Sequence, residues 1–211
     1  MGFKDRVTAG RQLSDRLFDY RGRDTVILAL PRGGVPVGRV VADRLGAPLD
    51  VLVCRKIGAP GNEEFALGAI SARGVRVLNE RALRQLLLPP DYLDAKAHEQ
   101  QAIAIQREAY FRGVRPPIPI SGKRVILIDD GIETGMTMRA AIADVQAQAP
   151  RELIVAAPVC APDTYEELAR RVDAIVTLEK PSVFFAVGQF YESFPQVTDE
   201  EARDALLASR P

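Results

Sequence analysis

Apolar residues in this chain gather into short, nearly unbroken runs set apart by polar stretches. The runs are residues 25–30 (TVILAL), 49–54, 125–128, 152–159 and 174–178. They are too short for helices, rich in β-branched residues, and lack the alternation of a half-exposed strand. Such runs suit strands buried on both faces of a parallel sheet. Between them the apolar spacing turns helical. Val7, Leu13, Leu17 and Tyr20 outline an N-terminal helix ending near Arg21 and Gly22. Val37, Val40, Val41 and Leu45 outline a second helix, Met138, Ala141, Ile142 and Val145 a third, and residues 162–171 a fourth. Strand alternating with helix predicts an α/β fold, a central parallel sheet flanked by helices.

The other segments are embellishments on that frame. Residues 65–71 and 75–78 predict a hairpin joined around Arg73 and Gly74. The polar, glycine-rich residues 58–64 (GAPGNEE) predict a mobile loop that could close over a phosphorylated substrate, with Arg55 and Lys56 at its base; the alternative for those two is a solvated basic pair. Residues 80–88 predict a short helix stopped by Pro89 and Pro90. Residues 91–112 predict a long polar helix with a thin stripe of Leu93, Ala97, Ile103, Ala104 and Tyr110. It would pack across the domain or against a second subunit, which would make the protein a homodimer. Residues 113–122 are a proline-containing linker, residues 179–194 an irregular aromatic tail, and 198–208 a helix capped by Thr198 ahead of Asp199, Glu200 and Glu201. The expected organisation is one domain, 1–211, with a helical insertion at 79–122 and a C-terminal portion at 179–211.

Composition narrows the function. The 28 basic and 28 acidic residues cancel, so nothing advertises nucleic acid or an anionic membrane as a partner. No apolar run approaches the roughly 20 residues of a spanning helix, and the opening MGFKDRVTAGRQL has no signal-peptide core. Cys54 and Cys160 lie in apolar runs and are expected as buried reduced thiols, which points to a cytoplasmic protein. The one histidine, His98, lies in the polar helical stretch, which argues against a Ser-His or Cys-His pair and against a His-based zinc site.

The chemistry concentrates in residues 124–138, RVILIDDGIETGMTM. A buried strand ends in Asp129 and Asp130, then a glycine-and-threonine loop leads into a helix: the layout of a ligand site at the carboxyl end of a sheet strand. Gly131 and Gly135 allow sharp turning and close approach of a ligand to the main chain. Backbone N–H groups at a helix start make an anion cradle, to which Thr134 and Thr137 add hydroxyl donors. The two acids repel phosphate but suit sugar hydroxyls or hydrated Mg²⁺. The stretch therefore suits a sugar phosphate. The alternative is an ordinary turn ending in two aspartates. A second strand–loop–helix unit at residues 31–38 places Arg32 beside Gly33 and Gly34, an arrangement that binds an anion or is a plain turn.

VILIDDGIETGMTM resembles the phosphoribosyl-pyrophosphate (PRPP) signature of type I phosphoribosyltransferases, and the element order is similar over most of the chain, as in a set of small bacterial members. The resemblance implies the type I fold and transfer of the 5-phosphoribosyl group of PRPP to a nitrogen nucleophile, a pentosyl (glycosyl) transfer that needs Mg²⁺ and releases pyrophosphate. It implies that Asp129 and Asp130 hold the ribose hydroxyls, directly or through Mg²⁺. Thr134, Gly135, Met136 and Thr137 would cradle the 5′-phosphate. Arg32 and Gly33, with Arg55 and Lys56, would meet pyrophosphate, and a hairpin lid over 58–78 would close. The partners are then PRPP and an unidentified base. Glu133 stands where 6-oxopurine enzymes carry an acid proposed as general base; otherwise it is a solvated loop acid. Lys180 and Phe185 would read and stack on the base in the C-terminal hood. The sequence departs from the purine pattern at Gln189 to Glu192, where an Asp is usual, and at Met136, where a lysine is common. A non-catalytic PRPP- or nucleotide-sensing module on the same fold is the alternative function.

Overall fold

The computed structural model describes residues 2–22 and 24–208. In chain order the elements are α1 (Arg6–Arg16), β1 (Thr25–Ala29), α2 (Gly34–Leu45), β2 (Leu49–Val51), β3 (Cys54–Ala59), β4 (Asn62–Ser71), β5 (Arg76–Leu78), α3 (Glu80–Leu83), α4 (Tyr92–Arg112), β6 (Arg124–Ile128), α5 (Met136–Gln146), β7 (Glu152–Val159), α6 (Pro162–Ala169), β8 (Ala174–Glu179) and α7 (Asp199–Leu207). Five strands form a parallel sheet in the order β2-β1-β6-β7-β8, and β3-β4-β5 form a separate antiparallel sheet.

The unbroken apolar runs have the expected cause, because the parallel sheet is covered on both faces. Alternate residues of a strand point to opposite sides. Ile27, Ile126, Ile128 and Ile154 pack with Leu13 of α1, Val37 and Val41 of α2 and Leu206 of α7. Val26, Leu28, Val125, Leu127 and Leu153 pack on the other face with Met138 and Ile142 of α5 and Leu168 of α6. Each such buried aliphatic side chain contributes roughly 1.5–3 kcal/mol, so the strand ends that carry the acids stand on a firm base.

Topology places the site. From β1 the chain passes through α2 outward to β2; from β6 it passes through α5 the other way, to β7. Strand order therefore reverses between β1 and β6, which are direct neighbours with Ala29 opposite Ile128. Loops leaving two such strands diverge and open a crevice at their carboxyl ends.

Several boundaries differ from expectation. Residues 58–64, expected as a loop, form the tip of a hairpin: β3 runs to Ala59, β4 begins at Asn62, and only Pro60 and Gly61 turn the chain, with Gly61 at φ +73°. Proline followed by glycine suits a type II turn, while the exposed polar tip lacks the apolar alternation that marks a strand. The β4–β5 pairing falls where expected, with Gly68 opposite Leu78. Residues 49–54 are not one strand, since β2 ends at Val51 and Cys54 opens the second sheet. The helix expected over 80–88 stops at Leu83 after an Asn79 cap that accepts from the Ala82 N–H (3.1 Å). On α1, Val7 is exposed and Arg6 buried; on α4 the buried positions are Ala97, Gln100, Ala104 and Phe111, with Tyr110 exposed. At α7, Thr198 Oγ1 accepts from the Glu201 N–H (3.1 Å) and Glu201 Oε2 from the Thr198 N–H (2.8 Å), a capping box. His98 is exposed. Both cysteines are free; Cys54 is half-buried, and burial pushes the Cys160 thiol up to about 12. No helix among the described residues is long and apolar enough to cross a membrane.

Candidate active site

The β1 and β6 loops interlock. The Leu30 N–H donates to the Ile128 carbonyl (2.8 Å), carrying the pairing one residue past β1. The chain then turns through Pro31 and Arg32, joined by a cis peptide bond, into α2. Gly33 and Gly34 lie directly against the two acids. A Cβ at Gly33 would fall 1.9 Å from Asp130 Oδ2, and one at Gly34 would fall 2.6 Å from the Ile128 carbonyl oxygen and 3.0 Å from Asp129 Cα. The glycines are required here for close approach.

The two carboxylates have different surroundings. Asp129, half-buried, accepts at Oδ1 from the Asp130 N–H (2.8 Å) and has no ion-pair partner among the described residues. Burial, reinforced by the neighbouring Asp130 charge, holds its carboxyl well above the usual carboxylate range. Asp130 is paired: Arg6 Nε donates to its Oδ2 (2.8 Å), and the Tyr191 hydroxyl donates to its carbonyl (2.6 Å). Burial, then the Asp130 charge, raises the pKa of the Tyr191 phenol.

Past the acids the loop is held from α6. Ile132 bridges to Cys160, its N–H donating to the Val159 carbonyl (2.9 Å) while its carbonyl accepts from the Ala161 N–H (2.9 Å). The Thr164 hydroxyl donates to the Glu133 carbonyl. Arg139 Nη2 donates to the Thr134 carbonyl (3.1 Å) and pairs with Glu167 (3.1 Å). Gly135, at φ +67°, precedes α5, and no side chain caps that helix. The first N–H groups of α5 are thus left for an anion. Glu133 and Thr134 are exposed, and the Glu133 carboxylate has no partner among the described residues. Thr137 is half-buried. The Met136 side chain is buried against Ala69 and Ala140, so only its backbone is available to a ligand.

Beside Thr137 lies a cavity of about 300 Å³ lined by Cys54, Arg55, Lys56, Lys96, Gln100 and the Glu63–Glu64 tip of the β3–β4 hairpin. Here Arg55 Nε donates to Gln100 Oε1 (2.9 Å), Lys56 pairs with Glu64 (3.1 Å), and Lys96 pairs with Glu63 (3.1 Å) and Glu99 (3.0 Å). The Tyr92 hydroxyl donates to the Gly58 carbonyl (2.9 Å). The structure therefore brings Thr137, Arg55 and Lys56 to one cavity. It turns the Arg32 guanidinium toward Asp199 at the start of α7 (3.7 Å), a carboxylate shared with Arg107.

The C-terminal segment packs over the loop. A Cβ at Gly131 would meet Val187 Cγ1 at 2.4 Å. Phe185 is 80% exposed, with its N–H on Gln189 Oε1 (2.9 Å); Lys180 Nζ lies 3.8 Å from the Tyr165 ring centroid. Sequence reasoning missed Arg6, Lys96, Arg139, Thr164, Val187 and Tyr191. Arg6 alone left a signal: at spacings of three, four and seven from Ala9, Gly10 and Leu13 it falls on the buried stripe of α1.

Comparison with known proteins bears on the family and the fold. A family profile described as "Phosphoribosyl transferase domain" matches residues 6–193. A Mycobacterium tuberculosis protein with a provisional phosphoribosyl transferase name is 45% identical over 200 residues; the match covers 94% of this chain and 45% of that protein, so the chain spans about half its length. The crystal structure of TT1426 from Thermus thermophilus aligns over the whole of both chains, with 43% identity and a TM-score of 0.84. A purine phosphoribosyltransferase of Pyrococcus horikoshii, 18% identical, shares the fold with a TM-score of 0.50 over 92% of this chain and 93% of that one.

Proposed function

Because the chain belongs to the phosphoribosyl transferase domain family, we propose that it transfers the 5-phosphoribosyl group of PRPP to a nitrogen nucleophile, releasing pyrophosphate. The observation that carries the reading is the pairing of two carboxylates with an uncapped helix start at the point where strand order reverses. A sugar phosphate meets both demands, with its hydroxyls at the carboxylate end and its phosphate on the N–H groups of Gly135 to Thr137.

The other groups take their roles from position. Arg55 and Lys56 face the cavity beside Thr137 and suit the pyrophosphate, joined by Lys96. Arg32 and Gly33 serve it through the backbone of the β1 loop. The transition state is oxocarbenium-like, so the protein's work is stabilising charge on the departing pyrophosphate, positioning the ribose and excluding water. Glu133, exposed and with its carboxylate unpaired among the described residues, is the candidate to accept the nucleophile's proton. Phe185 and Lys180 are the candidates to hold a base, a purine among them.

The acids fit Mg²⁺ on their own chemistry. They are hard oxygen donors, Asp129 forms no ion pair among the described residues, and Mg²⁺ takes one or two carboxylates with water and phosphate oxygens rather than a full protein cage. Asp129 would hold it, with the Arg6-paired Asp130 beside it; bound there, it would supply positive charge to the diphosphate.

The test incubates the protein with Mg²⁺, PRPP and a panel of nitrogen bases and measures pyrophosphate release, alongside calorimetry of PRPP alone. Release with at least one base is expected. PRPP binding without turnover on any base would move the protein to the sensing function; no PRPP binding would end the proposal.

A further inference from the structure

We propose that Arg6 is the positioning residue of the carboxylate pair: it locks Asp130 in place as an internal anchor, leaving Asp129 as the acid that meets the ribose or its cation. The inference deepens the phosphoribosyl reading above and rests on it.

Two segments far from it in sequence, the β6 loop and residues 194–195, converge on this arginine. Asp5 caps α1 by accepting from the Thr8 N–H (2.7 Å), which sets Arg6 as the first helical residue with its side chain on the buried face. Its Nε donates to Asp130 Oδ2, its Nη1 donates to the Pro195 carbonyl (2.8 Å), and its guanidinium lies 3.7 Å above the Phe194 ring. Arginine's rigid fork makes such a three-way contact where a lysine's point charge would not. The ion pair is little exposed, 10% and 13% at the two side chains.

Asp130 is correspondingly spent. Its Oδ2 is wedged between Arg6 and the Gly33 backbone, its charge is matched, and its carbonyl is tied to Tyr191. Asp129 carries a different condition: it accepts from the backbone N–H of Asp130, lies beside the Asp130 carboxyl, and forms no ion pair of its own among the described residues. Two adjacent acids would otherwise repel and trade positions; pairing one of them fixes the other's direction. A group that orients a ligating carboxylate in this way typically matters by about 10–100-fold in affinity or activity.

The test is calorimetric titration of the full chain with PRPP at fixed Mg²⁺, at a temperature well below each variant's melting point. Arg6→Met removes every donor. Arg6→Gln places Nε2 as many bonds from the backbone as arginine's Nε and keeps the contact to Asp130. Arg6→Met is expected to weaken PRPP binding roughly 10–100-fold, with Arg6→Gln recovering part of the loss. Asp130→Asn should cost no more than Arg6→Met, and the two combined no more than Arg6→Met alone, because both remove the Arg6–Asp130 interaction. Asp129→Asn should abolish measurable binding. Wild-type affinity in folded Arg6→Met, additive losses, or Arg6→Gln as weak as Arg6→Met would overturn the proposal while PRPP binding by the wild type stands. A wild-type chain that binds no PRPP overturns the functional reading and this proposal together.

Discussion

The carboxyl end of β6 and the tip of the β3–β4 hairpin both present charge to the candidate site, and they are held in opposite ways. The β6 end is pinned by contacts with little exposure: Arg6 to Asp130, Tyr191 to the Asp130 carbonyl, Thr164 to the Glu133 carbonyl, and glycine backbones against both acids. The hairpin tip is held by ion pairs whose acids, Glu63 and Glu64, are 80% and 91% exposed. Buried pairs are costly to break, whereas exposed ones are worth about 0–1 kcal/mol. One region is built to keep its shape and the other to exchange partners. A site that must fix a sugar and also admit and release a diphosphate needs both.

The comparison breaks most readily at Arg6. In Arg6→Met, Asp130 stays in its wedge without a counter-charge. Breaking a buried pair costs about 3–5 kcal/mol, and the residual exposure here puts the expected loss near the lower end, ~3 kcal/mol. Urea unfolding should show that loss; a change under ~1 kcal/mol would mean the pair is no firmer than those at the hairpin tip.

Gly34→Ala comes next. Alanine gains about 1 kcal/mol over glycine in a helix, but the new Cβ would lie 2.6 Å from a backbone oxygen that cannot swing away. Overpacking of that kind typically costs about 1–3 kcal/mol. A net loss of ~1–2 kcal/mol is expected, together with weaker PRPP binding. A variant as stable as the wild type with unchanged binding would show that the β1 and β6 loops part freely.

A pH series isolates Asp129. Its folded-state pKa lies above its unfolded value of ~3.9, because burial and the Asp130 charge disfavour the ionised form. The protonated acid therefore favours the fold. Its contribution is complete below the unfolded pKa and is lost as pH rises through the folded one. Asp129→Asn has no charge to lose, so in metal-free buffer it should melt above the wild type at pH 7, with the gap closing toward pH 4. A gap that is constant across the series would place the carboxylate in solvent.

The same contrast explains what the sequence made legible. The runs TVILA and RVILI announce doubly covered strands because each sets four apolar residues in succession, too few for a helix and without the alternation of a half-exposed strand, and the acids and glycines of the β6 loop carry their chemistry in adjacent positions. The Thr198 cap is local and was visible for the same reason. The hairpin tip was hidden because Asn62 to Phe65 are exposed, so their strand pairing with 54–59 left no alternation to see. Arg6 was hidden by distance: its partner lies 124 positions away, and no local rule connects an N-terminal helix to the β6 loop. Lys96 and Thr164 fail to show for that reason too, each acting from a helix on a distant segment of the chain.

The smallest effect on stability belongs to the hairpin tip, and it sharpens the comparison most. Glu63→Gln with Glu64→Gln removes the exposed partners of Lys96 and Lys56 and should shift stability by less than ~0.5 kcal/mol. Ligand binding should move the other way. In the free protein those carboxylates occupy the ammonium groups that face the cavity beside Thr137. An incoming diphosphate must displace them, so their removal should tighten pyrophosphate binding about two- to fivefold, since each exposed pair is worth only a fraction of a kcal/mol. Salt discriminates the cause. Exposed charges are largely screened beyond about 8–10 Å at physiological ionic strength, so the gain should shrink between low salt and roughly 0.5 M NaCl. A double variant that binds pyrophosphate more weakly at low salt would show that the acids hold the hairpin in its binding position, which would make the tip as fixed as the strand end.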